Sequence, residues 1–174
     1  MNALLASILA AALALPAHAM PDLVILVRHA ERAAEPAADP ALSPEGEQRA
    51  RALAQALAGT RVDAILTTQF RRTRDTAAPL AQALGLQPLA IEARRGGAAS
   101  HVQAVAEAVR AQTGTVLVVG HSNTVPAILA ALGGPQLPEI CETSFNHIFL
   151  LRPGAGWMQL SYGAPSAPPS AGCL

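Results

Sequence analysis

Lysine is absent: all twelve basic residues of this 174-residue chain are arginine. That excludes Schiff-base lysine chemistry and the phosphate-binding lysine of a P-loop. Aromatic side chains are scarce, with three Phe, one Trp and one Tyr. Little is left for a surface that stacks bases or sugars. Charge of one sign is missing as well: twelve acidic residues balance the arginines. A strongly basic nucleic-acid binder and an acidic disordered tail are both disfavoured. No Cys/His spacing resembles a structural zinc site, no carboxylate cluster suits a magnesium ion, and no internal repeat is present. The apolar fraction is 51%, but 39 alanines make much of it small. The length fits one ordinary domain.

The longest apolar run is at the amino terminus. Leu4 to Leu15 is almost purely apolar, followed by Pro16 and then Ala17-His18-Ala19. A run of this length ending in A-x-A reads as a cleavable secretory signal over residues 1–19. It is shorter than the roughly 20 residues of a membrane span. The expectation is export, to a bacterial periplasm or beyond, with no stable membrane insertion after cleavage and with Met20 as the new first residue. The domain then covers 20–162. A tail over 163–174, rich in Pro, Ser, Ala and Gly, is too poor in burial capacity to order itself. An oxidising compartment permits Cys141 and Cys173 to pair and pin that tail; two free thiols are the alternative.

Four segments of the body share one spacing. Ala50, Leu53, Ala54 and Leu57 recur at i, i+3, i+4, i+7, as do Ala77, Leu80, Ala81 and Leu84. Val102, Val105, Ala106 and Val109 repeat the pattern, and so do Val125, Ile128, Leu129 and Leu132. Each predicts one apolar helical stripe. Gly59, Gly85, Gly114 and Gly133 follow where left-handed cap residues are wanted. Ser43-Pro44 suits the first helix start, Ser100 caps the third, and Pro79 kinks or delays the second. Between the helices lie apolar runs at Leu23–Val27, Val62–Leu66, Pro88–Ile91 and Val116–Val119. They read as strands of a parallel sheet buried on both faces. His147–Leu151 and Trp157–Ser161 flank Pro153-Gly154 as a terminal hairpin. The order predicts an α/β three-layer sandwich with a mostly parallel central sheet flanked by helices.

Ligands of open parallel sheets gather beyond the carboxyl ends of the strands. The first strand runs into Arg28-His29-Ala30-Glu31, the second into Thr67 through Arg72, and the fourth through Gly120 into His121-Ser122-Asn123. Two histidines and up to three arginines are thereby aimed at one sheet edge. Such a cationic pocket suits a phosphate monoester: arginine offers planar paired donors, and a neutral imidazole is a competent nucleophile. A second imidazolium then stabilises the transferring oxygens, and no cofactor is needed.

Val27-Arg28-His29-Ala30-Glu31, Arg72-Thr73-Arg74-Asp75-Thr76-Ala77 and Val119-Gly120-His121-Ser122-Asn123 together resemble the signatures of the histidine phosphatase superfamily, the phosphoglycerate mutase-like fold. The likeness runs from the first strand to the fourth helix. It implies His29 as the phosphorylated nucleophile, with Arg28, Arg72 and His121 completing the phosphate pocket. Arg71 and Arg74 are then solvated or rim residues. The implied activity is metal-independent hydrolysis of a small phosphorylated substrate; the alternative is a non-catalytic phosphate- or anion-binding module.

Two departures stand out. Ala30 occupies the family's usual glycine position, which requires a backbone free of strongly positive φ. The general acid is the second. Glu92 follows the third strand with Gly96 four residues on, part of the family's acid pattern, and is the first candidate; Glu31, beside the nucleophile, is the second. Asn146 and His147 open the fifth strand and are expected at the same edge only if that strand runs parallel. His101 is expected to be exposed. Substrate identity and oligomeric state are not encoded in any motif.

Overall fold

The computed structural model describes residues 20–174. The segment 1–19, expected to be a signal, lies outside them. Ten elements follow in order: β1 (Leu23–Arg28), α1 (Pro44–Ala56), β2 (Ala64–Thr67), α2 (Arg71–Leu84), β3 (Leu89–Ala90), α3 (Ala98–Arg110), β4 (Thr115–Gly120), α4 (Val125–Ala131), β5 (His147–Arg152) and β6 (Gly156–Ser161).

The strands form one sheet in the order β3-β2-β4-β1-β5-β6. The four strands β3, β2, β4 and β1 are parallel; β5 and β6 extend the sheet antiparallel. Alternation along β1 shows why the sheet is covered twice. Val24 and Leu26 pack with Val105, Val109, Ile128 and Leu129 of α3 and α4. Ile25 and Val27 pack with Leu53, Leu80 and Ala81 of α1 and α2. Val116 and Val118 of β4 join the first layer, and Leu117 and Val119 the second. Continuous apolar strands buried on both faces are what a helix-covered parallel sheet demands.

Local chemistry sets the helix ends. Ser43 caps α1, its hydroxyl accepting from the Gly46 N–H, with Pro44 in the first turn; such a cap contributes about 1 kcal/mol. Gly46 has a further use. A Cβ there would collide with the Glu31 carbonyl, so glycine lets α1 dock against the chain leaving β1. Gly85 ends α2 in the left-handed conformation at φ 66°. Pro79 lies within α2, which begins at Arg71 without delay. Ser100 is not the cap of α3: Gly97 is, and the Ser100 hydroxyl donates back to the Gly97 carbonyl.

Cys141 and Cys173 form a disulfide. Main-chain bonds reinforce it: Cys141 N–H donates to the Leu174 carbonyl at 2.7 Å, and Leu174 N–H to the Glu139 carbonyl at 3.0 Å. The Phe145 N–H also donates to Ser166 Oγ at 2.8 Å. The tail therefore has neither helix nor strand and is tied to segment 139–145 by these contacts.

Candidate active site

The carboxyl ends of β1, β2 and β4 deliver Arg28, the Thr67-Thr68 pair and Gly120 to one edge of the sheet. A cavity of about 520 Å³ opens there. Arg28, His29, Arg72 and His121 all line it. The His29 and His121 ring centroids are 5.4 Å apart, with planes at 66°. The four residues expected to share a phosphate are thus brought together by β1, β4 and the first turn of α2. Arg71 and Arg74 do not line the cavity.

His29 is buried, with 4% exposure. Its Nδ1–H donates to the Ala30 carbonyl at 2.8 Å, which leaves the lone pair on Nε2. Ala30 N–H donates to Thr76 Oγ1 at 2.9 Å, and Thr76 in turn donates to the Arg72 carbonyl at 2.7 Å. The chain after the nucleophile is thereby fixed to α2. Among the described residues no side-chain-bearing residue has positive φ. Ala30 accordingly fits without strain where glycine is the family's choice.

His121 is oriented from two sides. Arg72 Nη2 lies 3.4 Å from His121 Nδ1 and donates to it. His121 Nε2 lies 3.3 Å from Thr68 Oγ1, whose hydroxyl is 2.9 Å from that of Thr73. Arg72 also stacks on Phe70, 4.3 Å from guanidinium carbon to ring centroid. Burial, foremost, pushes both imidazoles down to about 3, and Arg28 and Arg72 push the same way on each. Both rings are therefore neutral at pH 7. In the site as it stands the expected nucleophile is neutral, and nothing anionic strong enough to hold a proton on His121 faces it.

Arg28 is gripped by a distant segment. Nη1 donates to the Cys141 carbonyl at 2.7 Å and the Ser144 carbonyl at 3.1 Å. Nη2 donates to Glu142 Oε2 at 2.7 Å. Phe145 covers the guanidinium at 4.2 Å, and the buried Nε–H has no partner. Glu142 Oε1 accepts from Ser122 Oγ at 2.6 Å. Two of the three phenylalanines thus serve as platforms for the pocket arginines, a use the scarcity of aromatics does not suggest.

Neither expected carboxylate reaches the cavity. Glu92 is exposed and pairs with Arg94 at 3.2 Å; only its carbonyl turns inward, accepting from His101 Nδ1 at 3.1 Å. Glu31 is held through both oxygens by the buried Arg49, at 2.7–2.9 Å. Its work is to tie the β1–α1 loop to α1. Glu142 lines the cavity instead. Two further expectations are corrected. His101 is buried at 4% exposure, because it stands four residues before Val105 on the packed face of α3. The start of β5 reaches this edge because the strand is antiparallel to β1, with Ile148 opposite Val27. An antiparallel strand begins where its parallel neighbours end. Phe145 and Ser144 arrive by this route. His147 does not enter the cavity; it contacts Gln159 on β6.

The disulfide bears on the site because Cys141 supplies one of the carbonyls holding Arg28. Cys173→Ser is expected to lower stability by about 2–4 kcal/mol and to weaken inorganic phosphate binding several-fold. Thermal melts and phosphate inhibition constants measure both; an unchanged melting temperature contradicts the structural part.

Residues 24–95 match the model of the histidine phosphatase superfamily (branch 1). No curated protein matches the chain. Among solved structures, SixA of Agrobacterium tumefaciens is similar at 23% identity and TM-score 0.59, over 84% of this chain and all of that one. A protein histidine phosphatase SixA complexed with tungstate is similar at 21% and 0.60, over 80% of this chain and 96% of its own. A mycobacterial glucosyl-3-phosphoglycerate phosphatase with inorganic phosphate is similar at 19% and 0.59, over 83% and 98%. At these identities the likeness is one of fold.

Proposed function

We propose that this chain belongs to the histidine phosphatase superfamily, whose model matches residues 24–95, and that it hydrolyses small phosphate monoesters through a phosphohistidine on His29, without a metal ion and after export from the cytoplasm. Phosphatase chemistry is the activity that the family match and the fold support together. The observation that carries the reading is the convergence of Arg28, His29, Arg72 and His121 on one cavity. His29 Nε2 attacks phosphorus, and water then hydrolyses the phosphohistidine, so that one hard step becomes two easier ones. Arg28 and Arg72 bind the equatorial oxygens and offset their charge, the main task in phosphoryl transfer. A bound dianion also supplies the counter-charge that lets His121 take up a proton and donate to the same oxygens.

Metal independence is supported by the cavity wall, where Arg28, Arg32, Arg72, Arg94 and Arg95 outnumber a single carboxylate. Among the described residues no three His, Cys, Asp or Glu are grouped to hold a metal ion. Export is supported by the apolar run ending in Ala17-His18-Ala19 and by the Cys141–Cys173 disulfide, which suits an oxidising compartment. The β1–α1 loop and the segment after β3 line the entrance and set which ester enters.

The test is turnover of p-nitrophenyl phosphate by the mature chain in excess EDTA. Turnover that survives chelation is expected; saturable phosphate binding with no turnover contradicts the reading and favours an anion-binding module. Intact mass of secreted protein tests export: retention of residues 1–19 contradicts it.

A further inference from the structure

Departure of a poor leaving group needs a proton, and the two carboxylates expected to give it face elsewhere. Among the described residues lining the cavity, Glu142 is the only carboxylic acid. His101 also lines it, but its Nδ1 is engaged by the Glu92 carbonyl and its Nε2 is buried. Glu142 sits on the guanidinium that phosphate must use. It takes Arg28 Nη2, while the adjacent Nε–H, on the same fork, is buried and unpartnered. A phosphate oxygen bound by the second N–H of Nη2 therefore lies beside Glu142 Oε2. Resting on the phosphohistidine reading above, we propose that Glu142 is the acid that protonates the leaving oxygen and the base that then activates water.

The electrostatics support the cycle. In the empty site, partial burial pushes the Glu142 carboxyl up, but bonds from Ser122 and Arg28 outweigh it and the net shift is downward. The groups facing it are Arg28 on β1, Arg32 just after β1, His121 and Ser122 after β4, and Arg72 on α2. A phosphate dianion arriving on Arg28 competes for the same cation and adds like charge, which raises the carboxyl and favours a shared proton. The step balances. His29 Nε2 forms the N–P bond as the P–O bond to the alcohol breaks; the proton passes from Glu142 to the leaving oxygen and the alcohol departs. Water then forms a new P–O bond as N–P breaks, and its proton returns to Glu142. Phosphate leaves, the carboxyl gives back to solvent the proton it took up when the dianion arrived, and Arg28 and Ser122 recapture the carboxylate. Exposure of the Glu142 side chain, at 78%, lets it exchange between these partners without unfolding anything.

The experiment compares p-nitrophenyl phosphate, whose phenolate leaves unaided, with glycerol phosphate, whose alkoxide does not. In Glu142→Gln the kcat for glycerol phosphate is expected to fall about 10²–10⁴-fold, and that for p-nitrophenyl phosphate less than about tenfold. Glu142→Asp is expected to recover part of the loss. The alkaline fall of the wild-type glycerol phosphate profile, where the acid is lost, is expected to flatten in Glu142→Gln. Equal losses on both substrates, or none on glycerol phosphate, overturn the assignment. So does a collapse in Glu92→Gln in place of Glu142→Gln. In each of these cases His29-dependent turnover of p-nitrophenyl phosphate shows that the parent reading survives; its absence from the wild type overturns both.

Discussion

Turnover of p-nitrophenyl phosphate is expected to fall about 10⁴–10⁶-fold in His29→Ala, the range for loss of a covalent nucleophile, or about 5–8 kcal/mol of transition-state stabilisation. Phosphate binding is expected to persist, because Arg28, Arg72 and His121 all remain. That split separates the nucleophile from the binding residues. It follows from geometry: Nδ1–H is committed to the Ala30 carbonyl, so Nε2 carries the lone pair, and burial keeps the ring unprotonated. Since His29 is buried, a thermal melt belongs beside the kinetics. A folded variant with at least a tenth of wild-type activity contradicts the assignment.

The second large effect is at Arg72. Arg72→Ala is expected to lower kcat/KM about 10²–10³-fold, the usual consequence of removing one preorganised donor to a developing oxyanion. Arg72→Lys is expected to recover less than a tenth of that loss. The ammonium keeps the charge but not the fork, and it does not stack on Phe70 as the planar guanidinium does at 4.3 Å. A separate signature exists. Burial and then Arg72 hold His121 neutral down to about pH 3. With Arg72 gone, burial, His101 and Arg28 still oppose protonation but the strongest cationic push is lost, and His121 is expected to titrate at higher pH when followed by NMR. Activity within threefold of wild type in Arg72→Ala, or an unmoved His121, contradicts its place in the pocket.

These residues were legible because their signals are local. Arg28 and His29 end an unbroken apolar strand, Arg72 opens a striped helix, and His121 follows the second buried strand through Gly120. Strand ends and helix starts are written in a few neighbouring residues. Glu142 is different. It meets Arg28 across 114 positions of sequence, from a stretch without periodicity. Only the return of β5 antiparallel to β1 brings it there, and that sense is set by the whole sheet. Glu92 had a local pattern in its favour, but its exposed neighbour Arg94 captures the carboxylate. His101 illustrates a signal that was present: it extends the Val105 and Val109 spacing by one turn, so its burial follows from the stripe despite its polarity. The pairing of Cys141 with Cys173 is likewise decided by where the tail folds back, not by the spacing of the two residues.

The central claim is a covalent bond between His29 and phosphorus. The direct measurement is rapid mixing of the purified protein with a phosphate monoester, an alkaline denaturing quench that preserves phosphohistidine, and mass mapping of the peptides. One PO₃ group on His29 within the first turnover, absent from His29→Ala, is the expected result. Full turnover with no phosphate on His29, or with the phosphate on His121, contradicts the account.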